Sequence, residues 1–243
     1  MTDWVVVLFL LGPLPATIAL AVERIARTAP VGGPARPVDV LGFNVAPVVI
    51  APVAGVIALV VALAPLPLPL RIALPLAGLA AIALTVSAIG TIWWVFGRSG
   101  QRWTWVLAQA GQPQRWLNLT TGFDDSSALL RRSLGGEGRS IDVVDPSIEL
   151  ERPLLRARRR FPPLGTPVMP GAVDAAIEPH GNDVVFLLMA AHEAHGPARA
   201  ELLRSAARAI APGGHLILVE HLRDAANILA FGPGAWHFSP RDA

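Results

Sequence analysis

The feature that most constrains this chain is where its charges are missing. Between Met1 and Phe96 the only acidic and basic side chains are Asp3, Glu23, Arg24, Arg27, Arg36, Asp39 and Arg71, and every other one lies from Arg98 onward. Such a distribution leaves long uncharged apolar runs, and a run of ~20 residues is what an α-helix needs to cross a bilayer. The reading is a membrane region over residues 1–97 with three transmembrane helices, at about 4–22, 45–64 and 72–96, followed by a second domain over 98–243. A mean hydropathy of +0.50 agrees with a chain that is part membrane protein.

Details of the first region refine this expectation. Met1-Thr2-Asp3 has no positive residue and Glu23-Arg24 follows the first run without a small-residue cleavage site, so that run reads as a retained span rather than a signal peptide. Pro65-Leu66-Pro67-Leu68-Pro69-Leu70 lacks alternate N–H groups, so the second helix is expected to stop near Ala64, with a turn through Arg71. Arg24, Arg27 and Arg36 in the first loop, with Arg98 and Arg102 after the third span, place those segments inside by the positive-inside rule. The expected localisation is the inner, cytoplasmic membrane, multi-pass, with the N-terminus outside and the second domain cytoplasmic. Trp93, Trp94, Trp103 and Trp105 are then an aromatic belt at the inner interface. No ionisable residue falls within the spans, which argues against a transport path.

Composition removes other classes. There is no cysteine, hence no disulfide and no thiolate metal site. Every basic residue is arginine, and the pI near 10.7 reflects arginine without lysine, tyrosine or cysteine. The formal net charge is only +2, so no nucleic-acid partner is expected.

The second region alternates strand and helix signals. A helix near the membrane surface is expected over Gly100–Gln114, then a strand at Trp116–Leu119 and a turn at Thr120–Asp125. A helix follows at Ser126–Leu134, a strand at Ser140–Val144 ending in Asp145-Pro146, and an arginine-rich helix at Glu149–Arg160. Many positive charges on one helix mean a solvated or headgroup-facing surface. Further strands are expected at Thr166–Met169 and Asp183–Leu188, and a helix at Pro197–Ala211. Pro212-Gly213-Gly214 stops that helix, and His215–Val219 then reads as a strand covered on both faces, ending in Glu220, His221, Arg223 and Asp224. Alternating strands and helices imply a doubly wound parallel sheet, whose ligands bind beyond the carboxyl ends of the strands.

The paired segments Asn182–Leu188 and Ala207–Glu220 resemble the fourth strand and the helix end, PGG turn and fifth strand of class I S-adenosylmethionine-dependent methyltransferases, the group labelled type 11. The resemblance covers about Arg115 to Asp224 and implies a Rossmann-like α/β fold with S-adenosylmethionine as cofactor. The family's first strand leads into D-x-G-x-G-x-G, and here that place reads Asn118-Leu119-Thr120-Thr121-Gly122-Phe123-Asp124. Only the middle glycine is kept. Thr120 and Asp124 add bulk, and Asp124 adds negative charge where the cofactor's carboxylate would come. The resemblance implies cofactor contacts from Asn118, Thr120 and Gly122, from Asp145 to the ribose hydroxyls, and from Asp174 to the adenine. The alternative reading of Asp145, set behind the ribose contact, is a helix cap before Pro146. Members of the family continue with a further helix and hairpin, so the sheet here is expected to stop after its fifth strand, leaving an edge for another chain, an oligomeric copy or the membrane region to cover.

Methyl transfer needs alignment and, for some nucleophiles, a base. His192, Glu193 and His221, at the ends of the fourth and fifth strands, are the candidates, with His192 or His221 as base; the alternative is that His192 and Glu193 only hydrogen-bond their loop. No H-x-x-x-H lies on a helix, so no metal site is expected. Ala225–Phe238 reads as a lid or a shallow membrane contact. Two functions stay open: a membrane-anchored methyltransferase for a lipophilic or membrane-associated small molecule, or a catalytically degenerate domain that binds a partner or scaffolds a complex at the bilayer.

Overall fold

The computed structural model describes residues 37–43, 46–97, 103–144, 152–194, 196–225, 228 and 239–240. These divide into two compact units, one holding the described residues up to Gly97 and the other those from Trp103 onward.

The first unit is helical: α1 (Pro37–Phe43), a π-helical turn (Ala46–Ile50), α2 (Ala51–Val61) and α3 (Leu68–Gly97). One helix among the described residues, at Leu68–Trp93, is long and apolar enough to cross a membrane. Three spans are therefore not what these residues show. The expected span at 4–22 lies outside the described residues. The expected span at 45–64 is a π turn followed by 11 α-helical residues. At 1.5 Å per residue such a piece falls short of a ~30 Å hydrocarbon core. The third helix begins at Leu68, not Ile72, because the first turn of a helix does not use its N–H groups. Pro69 therefore sits there without loss, while Leu70 and Arg71 both donate to the carbonyl of Pro67. Pro75 lies inside the helix.

The second unit is an α/β sheet of five parallel strands in the order β3-β2-β1-β4-β5: β1 (Arg115–Thr120), β2 (Glu137–Val143), β3 (Thr166–Val168), β4 (Asn182–Leu188) and β5 (Ile210–Val219). Before β1 comes α4 (Thr104–Ala110). The crossovers are α5 (Ser127–Ser133), α6 (Arg152–Arg160), α7 (Val173–Ala176) and α8 (Gly196–Ala209). The strand order reverses between β1 and β4, the place where open α/β sheets take ligands. Leu222–Arg223 and Ser239–Pro240 pair as a separate short ladder, and most of the segment expected as a lid lies outside the described residues.

Apolar side chains alternate across the strands into two cores. On one face Leu117, Leu119, Ile141, Val143, Val185 and Leu187 pack with Val173 of α7 and Leu202 and Ala206 of α8. On the other, Trp116, Val184, Phe186, Leu188 and Ile217 pack with Trp103, Val106 and Leu130. Trp103 is 1% exposed, so it belongs to this core and not to an interfacial belt; Trp93 and Trp105 are exposed. The helix expected over Gly100–Gln114 is the shorter α4, turned onto the sheet by Val106 and Ala110. β5 is not covered on both faces: it is a sheet edge, with Ile217 buried and Leu218 48% exposed. Its ladder with β4 is interrupted at the PGG segment, where Gly213 takes φ +83 and pairing resumes at His215 with Val184.

Candidate functional site

A cavity enclosing about 600 Å³, part of it open to solvent, lies at the carboxyl ends of β1, β2 and β4. Its walls are mostly apolar, including Val143, Val144, Val173, Ala198 and Leu202. Its polar points are Thr121 and Gly122 after β1, Arg158 from α6, and Glu193 after β4. A concave apolar crevice with a few convergent polar groups is the usual form of a small-molecule site.

The β1 side is closed on itself. Gly122 takes φ +66, a conformation that glycine adopts without a side-chain clash. The carboxylate of Asp124 accepts the backbone N–H of Ser127 at 2.9 Å and of Ser126 at 3.3 Å, and its other oxygen accepts the N–H of Leu164 at 3.1 Å. Asp124 thereby caps α5 and ties the segment before β3 to the turn. Asn118, fully buried, donates its amide to the hydroxyls of Ser126 and Ser127. Thr120 is buried and donates to the carbonyl of Ile141 at 3.3 Å. Arg158 donates to the Gly122 carbonyl at 2.6 Å and forms a two-pronged pair with Asp142, at 2.5 and 3.2 Å. Only 4% of the Asp142 side chain is exposed, so this is a largely desolvated pair.

The β4 side carries charge toward the cavity. Met189 ends the strand at φ +54, uncommon for a residue with a side chain, and swings the chain across β5. Glu220 reaches back from the end of β5. It accepts the N–H of Ala191 at 2.5 Å, the N–H of His192 at 3.3 Å, and meets His192 Nδ1 at 2.8 Å. His192 Nε2 lies 3.3 Å from Glu193, and its ring packs edge-on against His221 with centroids 5.6 Å apart. Burial disfavours the charged ring, but hydrogen bonds to Glu193 and Glu220 outweigh it and push the His192 pKa up to about 9. At neutral pH His192 is an imidazolium between two carboxylates. It has no lone pair with which to take a proton, and the groove-facing acceptor is Glu193.

The expected site residues thus separate. Gly122 and Glu193 line the cavity, and His192 stands behind Glu193. Asn118 and Thr120 sit under the turn, bonded within the fold. Asp174 does not line the cavity, although its neighbour Val173 does: its carboxylate bonds Ser205 at 2.5 Å and Arg208, holding α7 to α8. Asp145, directly after the cavity-lining Val144, lies outside the described residues, as does His195. Two residues of the site were not singled out from sequence. Arg158 was one arginine among five in α6, and Asp142 one polar position in an apolar strand.

The fold and crevice define a Rossmann-like α/β domain, an architecture compatible with a methyltransferase. No family model matches the chain, and no curated protein matches it.

The residues fit one part of S-adenosylmethionine and not the other. Apolar walls and the close-approach backbone at Gly122 suit an adenosyl group. The N–H groups at the start of α5, which in such folds face an anionic group, are already taken by Asp124.

Proposed function

We propose that the chain is a membrane-anchored S-adenosylmethionine-dependent methyltransferase acting on a lipophilic or membrane-associated small molecule. The observation that supports this most is the crevice itself: it lies where the strand order reverses, beside a glycine turn, with the carboxylate of Glu193 on its wall. When bound, the cofactor supplies an electrophilic methyl group. The chain's own part is to exclude water with Val143, Val173 and Leu202, and to hold an acceptor, Glu193, on the cavity wall beside the His192 cation. The apolar helix Leu68–Trp93 supports a bilayer location, where a water-poor substrate concentrates.

The self-capped turn favours a second reading, a methyltransferase-like domain without catalysis that serves as a membrane-bound binding or scaffold protein. Calorimetry on the full chain in detergent separates them. Micromolar to millimolar binding of S-adenosylmethionine, abolished by Ala198→Trp in the cavity wall and weakened by Asp145→Ala, supports the enzyme. No heat at millimolar cofactor overturns it.

A further inference from the structure

α6 gives one arginine to the crevice, Arg158, and carries others beside it. Every charged residue of α6 is an arginine, and no acidic residue occurs from Ser126 to Gly136 or from Arg152 to Val173. Asp142 is taken by Arg158. Arg159 is exposed, and so are Arg131 and Arg132 in the last turn of α5. Arg131 donates to the carbonyl of Leu164, which brings α5 beside the segment that follows α6. Among the described residues, Arg132 and Arg159 meet no carboxylate. Arg160 likewise has no acceptor at Nε or Nη2. Arginines gathered without acids leave a local positive potential that the chain does not itself neutralise.

Apolar side chains stand among these cations. Leu155, one turn before Arg159 on the same side of α6, is 41% exposed, and Leu164 is 44% exposed. Arginines interleaved with exposed leucines suit a surface that lies on headgroups: the guanidinium pairs phosphate through two N–H groups, and the apolar side chains enter the boundary beneath. A nucleic acid would use the cations but not the leucines. Asp142 points away from Ile141 and Val143, so α5 and α6 share the sheet face whose core holds Trp103 and Leu130. The chain reaches this same face at Trp103, soon after its apolar helix ends at Gly97.

We infer that the outer surface of α5 and α6 docks on anionic lipid headgroups, with Arg132 and Arg159 as electrostatic contacts and Leu155 and Leu164 as apolar ones. The inference rests on the bilayer location in the proposed function and is independent of methyl transfer. Each arginine close to an anionic leaflet strengthens docking about fivefold, and salt screens the effect.

The chain has no cysteine, so Ser133→Cys, at the exposed end of α5, can carry a single fluorophore. The labelled full chain is reconstituted in nanodiscs of phosphatidylcholine with or without phosphatidylglycerol, and quenching by neutral acrylamide gives the docked fraction. The label should be protected in the anionic discs, and high salt should remove the protection. Arg132→Gln with Arg159→Gln should lower the docking constant roughly 25-fold. Leu155→Gln should lower it with the salt dependence unchanged. Neither arginine has a partner to lose, and circular dichroism confirms that the variants are folded. Equal quenching in the two discs, or a double variant that docks like the wild type, overturns the inference while the anchored reading stands. Protection by duplex DNA on neutral discs equal to that by phosphatidylglycerol would mark a surface for polyanions in general, and also overturns it. A chain that enters neither disc overturns both the inference and the membrane-anchored reading.

Discussion

The turn after β1 and the loop after β4 occupy equivalent places, at the carboxyl ends of two adjacent parallel strands, yet they handle polarity in opposite ways. The β1 turn is rich in polar side chains, and nearly all of them point back into the protein: Asn118 to two serines, Thr120 to a carbonyl of β2, Asp124 to three amides. The β4 loop borrows its order from a neighbour, Glu220 of β5, and so keeps Glu193 on the cavity wall. A turn whose side-chain donors are spent inside the fold has few left for a ligand. A loop held from outside can offer a charged group to a ligand. In this crevice, therefore, most polar residues nearest the glycine turn are bonded within the fold, and Glu193 at the less glycine-rich strand end faces the cavity.

The sharpest way to break this contrast is to remove the anchor that lies over the β1 turn. Asp142→Ala leaves Arg158 in a site where its own side chain is 20% exposed, without the carboxylate that neutralises it. Loss of one partner of such a pair costs about 4 kcal/mol, whereas replacing both by leucine costs far less. Amide exchange of the β1 and β4 core, which reports the opening free energy of the α/β unit, should fall by that amount in Asp142→Ala and recover in Asp142→Leu with Arg158→Leu. Equal losses in both would show that the pair is not the element closing this side.

The β4 side should reveal itself through pH. His192 has a folded pKa of about 9 against an ordinary 6.5, so it stabilises the folded state as the cation. That contribution is complete below about pH 6.5 and disappears as pH rises through 9. Raising the pH across this window should cost the unit ~3 kcal/mol through His192 alone. Glu220→Gln should flatten the slope, since it removes one of the two carboxylates. A pH-independent stability between 6.5 and 9 in the wild type would contradict the clamped imidazolium.

Sequence made much of the fold legible and less of the site, for one physical reason. Asn182–Leu188 and His215–Val219 are apolar runs bounded by polar or glycine residues, and the helices between them keep a 3.6-residue period, so strand order along the chain follows from local signals. That β5 is an edge depends on what lies beyond it, which no local signal carries. Trp103 reads with Trp93, Trp94 and Trp105 as one belt because the four are close in sequence, but it stands at the start of α4, whose Val106 and Ala110 face the sheet. Asp124 was recognised as a departure from the glycine pattern. Its cap on Ser126 and Ser127 is local, but its second bond, to the N–H of Leu164 40 residues away, is set by packing and carries no local signal. Arg158 likewise differs from its neighbours in α6 only by meeting Asp142, a contact fixed by the packing of α6 against β2.

The smallest expected effect tests whether the two regions are independent. Thr121 belongs to the β1 turn, and its hydroxyl donates to the carbonyl of Ala190, in the β4 loop, at 2.5 Å. The next residue, Ala191, is one that Glu220 holds. Thr121→Val keeps the shape and removes one of two donors to the Ala190 carbonyl, leaving the N–H of Glu193, for a loss of about 1 kcal/mol. If the quiet turn is a fixed wall against which the charged loop is braced, the loss should not stay local. The His192 pKa, followed by the ring proton shifts, should move downward as Glu220 loosens, and a double-mutant cycle with Glu220→Gln should show coupling above ~0.5 kcal/mol. Additive losses, with an unchanged His192 titration, would make the turn and the loop separate devices that merely share a crevice. Coupling would mean that the rigidity stored at Asp124 and Thr121 is what lets Glu193 keep its place on the cavity wall.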